Sequence, residues 1–501
     1  MNELWKTPRS WEWTELKKLG DVVSGGTPST KVEEYWGGEI NWISPADLTK
    51  YKHKTIAKGA KSISEAGLQH SSAKLMPPGS VHFSSRAPIG YVVISSHPMC
   101  TNQGFKSLVP YKGVFNEFVF YYLKSAKQLA EERATGTTFK EISGTAFSKL
   151  PIPVPPTNEQ VRIVAKIEEL FSELDNGIES LNTARKQLEV YRQAILKHAF
   201  AGHLSGKWRS TNANGSRVPT DILEDIRQSR SKINAELKHN STFQSTKKNK
   251  FKDSPRVEAL SDEALPELPT EWVYVNINDL VRHDRPISYG VIKLGKDEFG
   301  GVPTLRSSNV RKLFLDLEYV KPISPAISDH YRRTLLKGGE VIVTIRGTLG
   351  GVSVVPDSCE GYNISREVAV IDTVDSIMSE YLQYYIASPI IENWFKQRLR
   401  GVAYTGINLA TLREMPIALC SRGEQQEIVN VLDEGFSEVN RISQEIDYAL
   451  KKNEAMRQSI LKEAFSGRLI KQDPQDEPAS DLVRRIASTK HDVKRTRTKN
   501  K

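Results

Sequence analysis

Two stretches of this chain nearly repeat each other. QAILKHAFAGHL fills 193–204 and QSILKEAFSGRL fills 458–469, with eight of twelve positions identical at an offset of 265 residues. A repeat constrains the fold before any element is assigned, because two copies of one unit fold as two equivalent bodies. Walking back at the same offset, Phe171 meets Phe436, Glu159-Gln160 meets Glu424-Gln425, and Gly136 meets Gly401. At an offset of 263, EFVFYYL (117–123) meets EYLQYYI (380–386). Earlier still, LMPPGSVHFSSRAPIGYVVI (75–94) parallels LLKGGEVIVTIRGTLGGVSVV (335–355), and WEWTELKKLGDVV parallels WVYVNINDLV. The chain is a tandem duplication of a unit of about 200 residues. Likeness is dense in the last third of the unit and sparse before it, as expected when a fixed scaffold carries diverging surfaces.

The scaffold reads as helix. Pro155 and Pro156 stop what precedes, and Thr157 or Asn158 caps a start with Glu159 in the first turn. Val164, Ile167, Phe171, Leu174, Ile178, Leu181, Leu188 and Ile195 then recur at steps of three and four, with Arg185 and Arg192 in phase. The second copy keeps the phase through Val429, Leu432, Phe436, Val439, Ile446, Leu450 and Ile460, interrupted by Ser443 and Asn453, polar residues of the kind that fix register. Each helix spans about 40 residues and so about 60 Å. Alone, it would expose its stripe. The simplest solution pairs the copies antiparallel about a pseudo-twofold axis. Ile167, Phe171, Leu174, Ile178, Leu181, Leu432, Phe436, Val439 and Ile446 would then lie in the interface between the two helices. Past each helix comes Gly202 or Gly467 and a basic polar stretch, read as solvated linker and tail. A short helix is expected around DILEDIRQSR, echoed by DLVRRIAS.

Residues 1–150 and 270–415 read as mixed α/β, with short β-rich runs between Gly, Pro and Ser turns, each ending in one helix. Polar, basic and aromatic residues collect in corresponding turns. SSRAPIG (84–90) against TIRGTLG (344–350) matches Arg86 with Arg346. EINWISPADL and GVPTLRSSNV supply Asn41, Trp42, Arg306, Ser307 and Asn309. TNQGFKSL and NISREVAV supply Asn102, Gln103, Lys106 and Arg366. The loops GTTFKEISG and GVAYTGINL add Lys140, Tyr404 and Asn408. Arg matches the guanine edge and Asn or Gln the adenine edge in the major groove, so these are candidate DNA contacts.

Composition narrows the class. A net charge of +10 favours a polyanionic partner such as nucleic acid. No apolar run approaches a membrane span, and MNELWKTPRSWEW lacks the apolar core of a signal peptide. Three scattered cysteines support neither a disulfide framework nor a zinc site, which fits a reducing cytoplasm. GVIKLGKD (290–297) nearly fits a phosphate loop but places Asp297 where the metal-binding hydroxyl belongs. No Gly-rich cofactor loop, nucleophile elbow or histidine metal spacing occurs. The chain reads as non-catalytic; the alternatives are a self-sufficient DNA methyltransferase or nuclease, and a coiled-coil scaffold without a DNA role.

With LPIPVPPTNEQVRIVAKIEELFSELD (150–175), the paired Q-x-I-L-K-x-A-F-x-G-x-L endings, GSVHFSSRAPIG and LPTEWVYVNINDLV in view, the sequence resembles the specificity (S) subunit of type I restriction-modification enzymes. The second copy departs at IALCSRGEQQEIV, which lacks the double proline. The resemblance implies target recognition domains at 1–150 and 266–415, helical arms at 151–204 and 416–469 forming an antiparallel coiled-coil spacer, a basic linker at 205–265 and a basic tail at 470–501. It further implies recognition of a split DNA site. Two methyltransferase subunits would use S-adenosylmethionine and two motor-nuclease subunits would use ATP and Mg²⁺, while this chain binds no cofactor or metal.

Overall fold

Short runs of β-branched and aromatic residues, cut by glycine and proline, fold into sheets, and the single helix expected after them in each copy is two consecutive helices, Asn116–Ser125 with Lys127–Glu132 and Ser379–Ile386 with Pro389–Leu399. The computed structural model describes residues 6–136, 140–212, 221, 223–229, 231–232, 265–282, 284–347, 349–399 and 406–488. They form two compact units, Met1–Asn182 with Asp447–Lys501, and Thr183–Ile446. Each unit therefore takes scaffold from both copies.

In unit 1 a five-stranded sheet runs Gly20–Ser24, Phe105–Pro110, Val81–Ser84, Val92–Ser95 and Thr55–Ile56, antiparallel except for the last pair. A three-stranded sheet places Trp36–Ile43 between Lys61–Ile63 and Met99–Thr101. Unit 2 has a four-stranded sheet, Ser288–Tyr289, Val368–Ile371, Val341–Thr344 and Val352–Val354, and a three-stranded one centred on Val302–Leu305. In both, an antiparallel ribbon ties the opening segment to the strand before the long helix: Glu12–Glu15 with Pro151–Val154, and Val273–Asn276 with Pro416–Leu419. Prolines suit such two-stranded ribbons because an edge strand has ladder positions that need no N–H donor.

The long helices are Thr157–Phe200 and Arg422–Phe465, 44 residues each. The absent double proline does not shorten the second. They pair antiparallel: Asp175 accepts from Arg457 at 2.5 Å, while Arg192 donates to Asn440 at 2.5 Å, seventeen residues on along one helix and seventeen back along the other. The two pairs are equivalent positions of the repeat. Each arginine also lies over an aromatic ring, Arg457 at 4.8 Å from Phe171 and Arg192 at 5.8 Å from Phe436. Ile167, Leu432, Phe436, Val439 and Ile446 are buried, and Phe171, Leu174, Ile178 and Leu181 are half-buried. Ser443 bonds back to the Val439 carbonyl of its own helix at 2.8 Å, and Asn453 is buried.

The repeated endings exchange units. Phe465, from the second copy, meets Phe118 and Tyr122 of the first copy's domain helix edge-on, at 5.3 Å each. Phe200, from the first copy, meets Tyr381 and Tyr385 of the second at 5.3 and 4.9 Å. Gly202 and Gly467 then end the helices at φ +75° and +73°, where a Cβ would lie 2.3 Å from Pro269 and 2.4 Å from Pro8. The segments beyond follow suit. Glu424 accepts from Ser205 at 2.6 Å and Arg209 at 2.7 Å, and Glu159 accepts from Gln472 at 2.9 Å. Burial pushes the Glu159 carboxyl upward. The short echoed helices are packed rather than solvated: Ile226 is buried in the core of unit 2, and Leu482 and Ile486 in that of unit 1. The Lys-rich remainder of the linker at 233–264 and the tail at 489–501 lie outside the described residues.

Candidate nucleic-acid interface

Strand Val81–Ser84 and strand Val341–Thr344 each run straight into the turn that carries the matched arginine. The two turns are held alike. Ser85 N–H donates to the Gly104 carbonyl at 2.7 Å, and Ser85 C=O accepts from Ile142 at 3.1 Å. In the other copy Ile345 N–H donates to Glu367 and Ile345 C=O accepts from Ile407, both at 2.8 Å. Backbone bonds on both sides aim Arg86 and Arg346 from corresponding places.

Around Arg86 a cluster forms on one carboxylate. Glu141 receives Lys106 Nζ at 3.0 Å, Arg86 Nη1 at 3.4 Å and the Ser85 hydroxyl at 3.4 Å. Lys106 is buried and donates a second bond to the Gln103 carbonyl at 3.2 Å, while the Gln103 side chain accepts from the Thr27 hydroxyl. Lys140 is exposed beside Glu141. Asn102 Oδ1 accepts from Gly104 N–H at 2.8 Å and so fixes the neighbouring turn. Asn41 donates to the Pro98 carbonyl at 3.3 Å. Trp42 is buried, and its indole N–H is spent on the Gly26 carbonyl at 3.0 Å, leaving it no polar group for a base.

In unit 2 the place of Glu141 falls to Gly406, bridged to Arg346, and among the described residues Arg346 makes no ion pair. Arg346 is exposed. Ser307 stands beside this turn, its Oγ 3.2 Å from where a Gly347 Cβ would lie, and donates to Glu367 at 2.7 Å. Arg306 lies over the Tyr319 ring at 5.5 Å. Asn309 is buried with its amide fully used, accepting from Arg306 N–H at 3.0 Å and donating to the Asp316 and Tyr319 carbonyls at 2.9 and 2.8 Å. Arg366 is exposed. Asn408 caps the helix Leu409–Arg413 by accepting from Thr411 N–H at 2.8 Å. Tyr404 lies outside the described residues.

The structure thus gathers Arg86, Gln103 and Lys106 on one site and Arg306, Ser307 and Arg346 on another. Glu141, Glu367 and Tyr319 complete these sites and were missing from the sequence reading, since an acid gives no signal in a search for cationic and amide readers. The near-phosphate loop is accounted for: Asp297 bonds Lys321 and Tyr319, and those partners hold its carboxyl below the usual range. No group of His, Cys, Asp and Glu among the described residues could hold a metal ion, and none of the described helices is long and apolar enough to cross a membrane.

The family model for the type I restriction modification DNA specificity domain matches residues 8–189 and 269–452. Among curated proteins, the chain is 36% identical over 200 residues to the type I restriction enzyme MjaIX specificity subunit of Methanocaldococcus jannaschii, covering 40% of this chain and 45% of that one. It is 26% identical over 390 residues to the EcoBI specificity subunit of Escherichia coli, covering 77% and 73%. The match to the first of these spans less than half of that relative's length. Among solved structures, a chain from the type I R-M system described for its complex assembly and conformational transition superposes with a TM-score of 0.61 at 17% identity, covering 93% and 100%. The HsdS subunit from Thermoanaerobacter tengcongensis gives 0.51 at 18% identity, covering 93% and 99%. The chain belongs to the type I restriction modification DNA specificity domain family and carries two copies of its domain. Two mixed α/β units and two long antiparallel helices are the fold shared with these neighbours.

Proposed function

We propose that this chain is the non-catalytic specificity subunit of a type I restriction-modification complex, acting in the cytoplasm. Each unit reads one half of a split duplex site, and the paired helices set the gap between halves. Arg86 and Arg346 are the leading base readers, because a guanidinium offers a two-pronged donor to guanine O6 and N7. Gln103, Lys140, Arg306, Ser307, Arg366 and Tyr404 supply neighbouring contacts. Asn41, Trp42, Asn102, Lys106, Asn309 and Asn408 act by holding the turns in shape. The chain holds no cofactor. Two methyltransferase subunits bring S-adenosylmethionine to adenine N6, and two motor-nuclease subunits bring ATP and Mg²⁺.

The observation that carries this reading is the pair of arginine turns, gripped by the same backbone bonds in two otherwise diverged units. Footprinting of the complex with its methyltransferase partner is expected to show two protected tracts with an indifferent one between. Arg86→Ala loses the first tract and Arg346→Ala the second, each costing about 1–3 kcal/mol. Equal losses on unrelated DNA would make both arginines phosphate contacts and remove them as readers.

A further inference from the structure

Beside each arginine turn the structure has a cleft, and the two clefts share equivalent positions at Lys50 and Lys312, Gly90 and Gly350, and Lys124 and Ala387. In unit 1 it measures about 390 Å³ and is lined by Lys50, Tyr51, Lys52, His53, Tyr91 and Lys124, with Gly90 of the Arg86 turn at its edge. In unit 2 it measures about 470 Å³, with Gly350 of the Arg346 turn at its edge and Ala387 where the first copy has Lys124. Most of these residues lie in the segments where the two copies have diverged.

The charges in the two clefts differ. Three ammonium groups line the first, and no carboxylate does. Lys50, Lys52 and Lys124 make no ion pair among the described residues, whereas their neighbour Lys54 is pinned by Glu117 at 2.9 Å and Glu168 at 2.5 Å. Beside them Tyr51 and His53 meet edge-on at 5.5 Å, an apolar wall next to the cations. In the second cleft Glu392 receives Lys396 at 2.6 Å and Lys312 at 3.8 Å, and Arg311 reaches Asp316 at 3.4 Å. Its cations are largely compensated by the protein itself.

The Lys124 ammonium lies 5.1 Å over the Phe120 ring, and Asp175 and Glu454 act on it, while Lys50 and Lys52 have no such partner among the described residues. A group of lysines without direct ion pairs suits a flexible, multiply charged chain better than a fixed partner surface. An ammonium is a point charge that neutralises a phosphate without demanding a bidentate geometry. The cleft also borders the turn that presents Arg86, through Gly90.

We propose that the unit 1 cleft binds the phosphodiester backbone of DNA beside the half-site read by the Arg86 turn, and that the unit 2 cleft is its weaker counterpart. This rests on the DNA-reading function above. Each neutralised phosphate adds about 0.9 to the slope of log affinity against log salt. The test is a salt titration of DNA binding by the complex with its methyltransferase partner, on a duplex bearing the methylated motif and on an unrelated duplex. The Lys50→Gln, Lys52→Gln, Lys124→Gln triple variant is expected to lower affinity alike on both duplexes and to flatten the slope by about two to three. The single variants flatten it by about one each, and the Lys312→Gln, Lys396→Gln pair by less than one. An unchanged slope would overturn the proposal. So would a loss confined to one half of the motif, which would mean base reading, or failure of the triple variant to copurify with the methyltransferase, which would make the cleft a protein-docking site. A wild-type complex without any sequence preference would instead sink the specificity reading and leave the salt result standing.

Discussion

Glu141 and Gly406 occupy the same place in the two copies, and this one difference gives the matched arginines different surroundings. Arg86 shares a carboxylate with the buried Lys106, while Arg346 faces a bare backbone. A buried ammonium left without its counter-ion is costly, and removing one partner of a fully buried pair costs about 3–5 kcal/mol. Water reaches a third of Glu141, so Glu141→Gln is expected to cost about 1–3 kcal/mol, seen as a lower unfolding midpoint for unit 1 alone. Adding Lys106→Met recovers most of that loss, because it removes the charge that was stranded. If Glu141→Gln left the midpoint unchanged, the carboxylate would not be what keeps Lys106 inside. The sequence pointed to the arginines, since matched residues on matched turns survive divergence of everything around them. It did not point to Glu141, whose role depends on a loop returning to the strand end some 55 residues away.

Among the elements, the long helices were the most legible, because a heptad stripe running through most of a 44-residue helix leaves few alternatives. The mixed α/β units followed from β-rich runs between turn residues, while their sheet orders did not, since short strands pair through contacts that sequence spacing does not record. The exchange of endings was also hidden. The repeat shows that Phe200 and Phe465 hold equivalent places in the twin endings, but the aromatic sockets Phe118–Tyr122 and Tyr381–Tyr385 look equally suitable for either phenylalanine. In the structure each ending closes the unit of the other copy. Phe465→Ala is therefore expected to destabilise unit 1, and Phe200→Ala unit 2, each by about 3–5 kcal/mol. Hydrogen exchange resolved by segment checks this. Phe465→Ala should raise exchange in Asn116–Ser125 and spare Ser379–Ile386. Faster exchange in Ser379–Ile386 instead would mean that each ending serves its own copy.

For the molecule as a whole, duplication answers a problem of address. On the proposed function, one small α/β unit reads a short tract, and a short tract recurs too often to be an address. Two units carried by one chain, each closed by the other copy's helix ending, keep both readers in a single subunit. On the proposed function, this chain alone supplies a two-part address to a methyltransferase that lacks one. Methylome sequencing tests it most directly, comparing cells that express the methyltransferase with this chain against cells that express the methyltransferase alone. A split motif with methyladenine in each half is expected, present only when this chain is expressed. Identical methylation with and without the chain would contradict it.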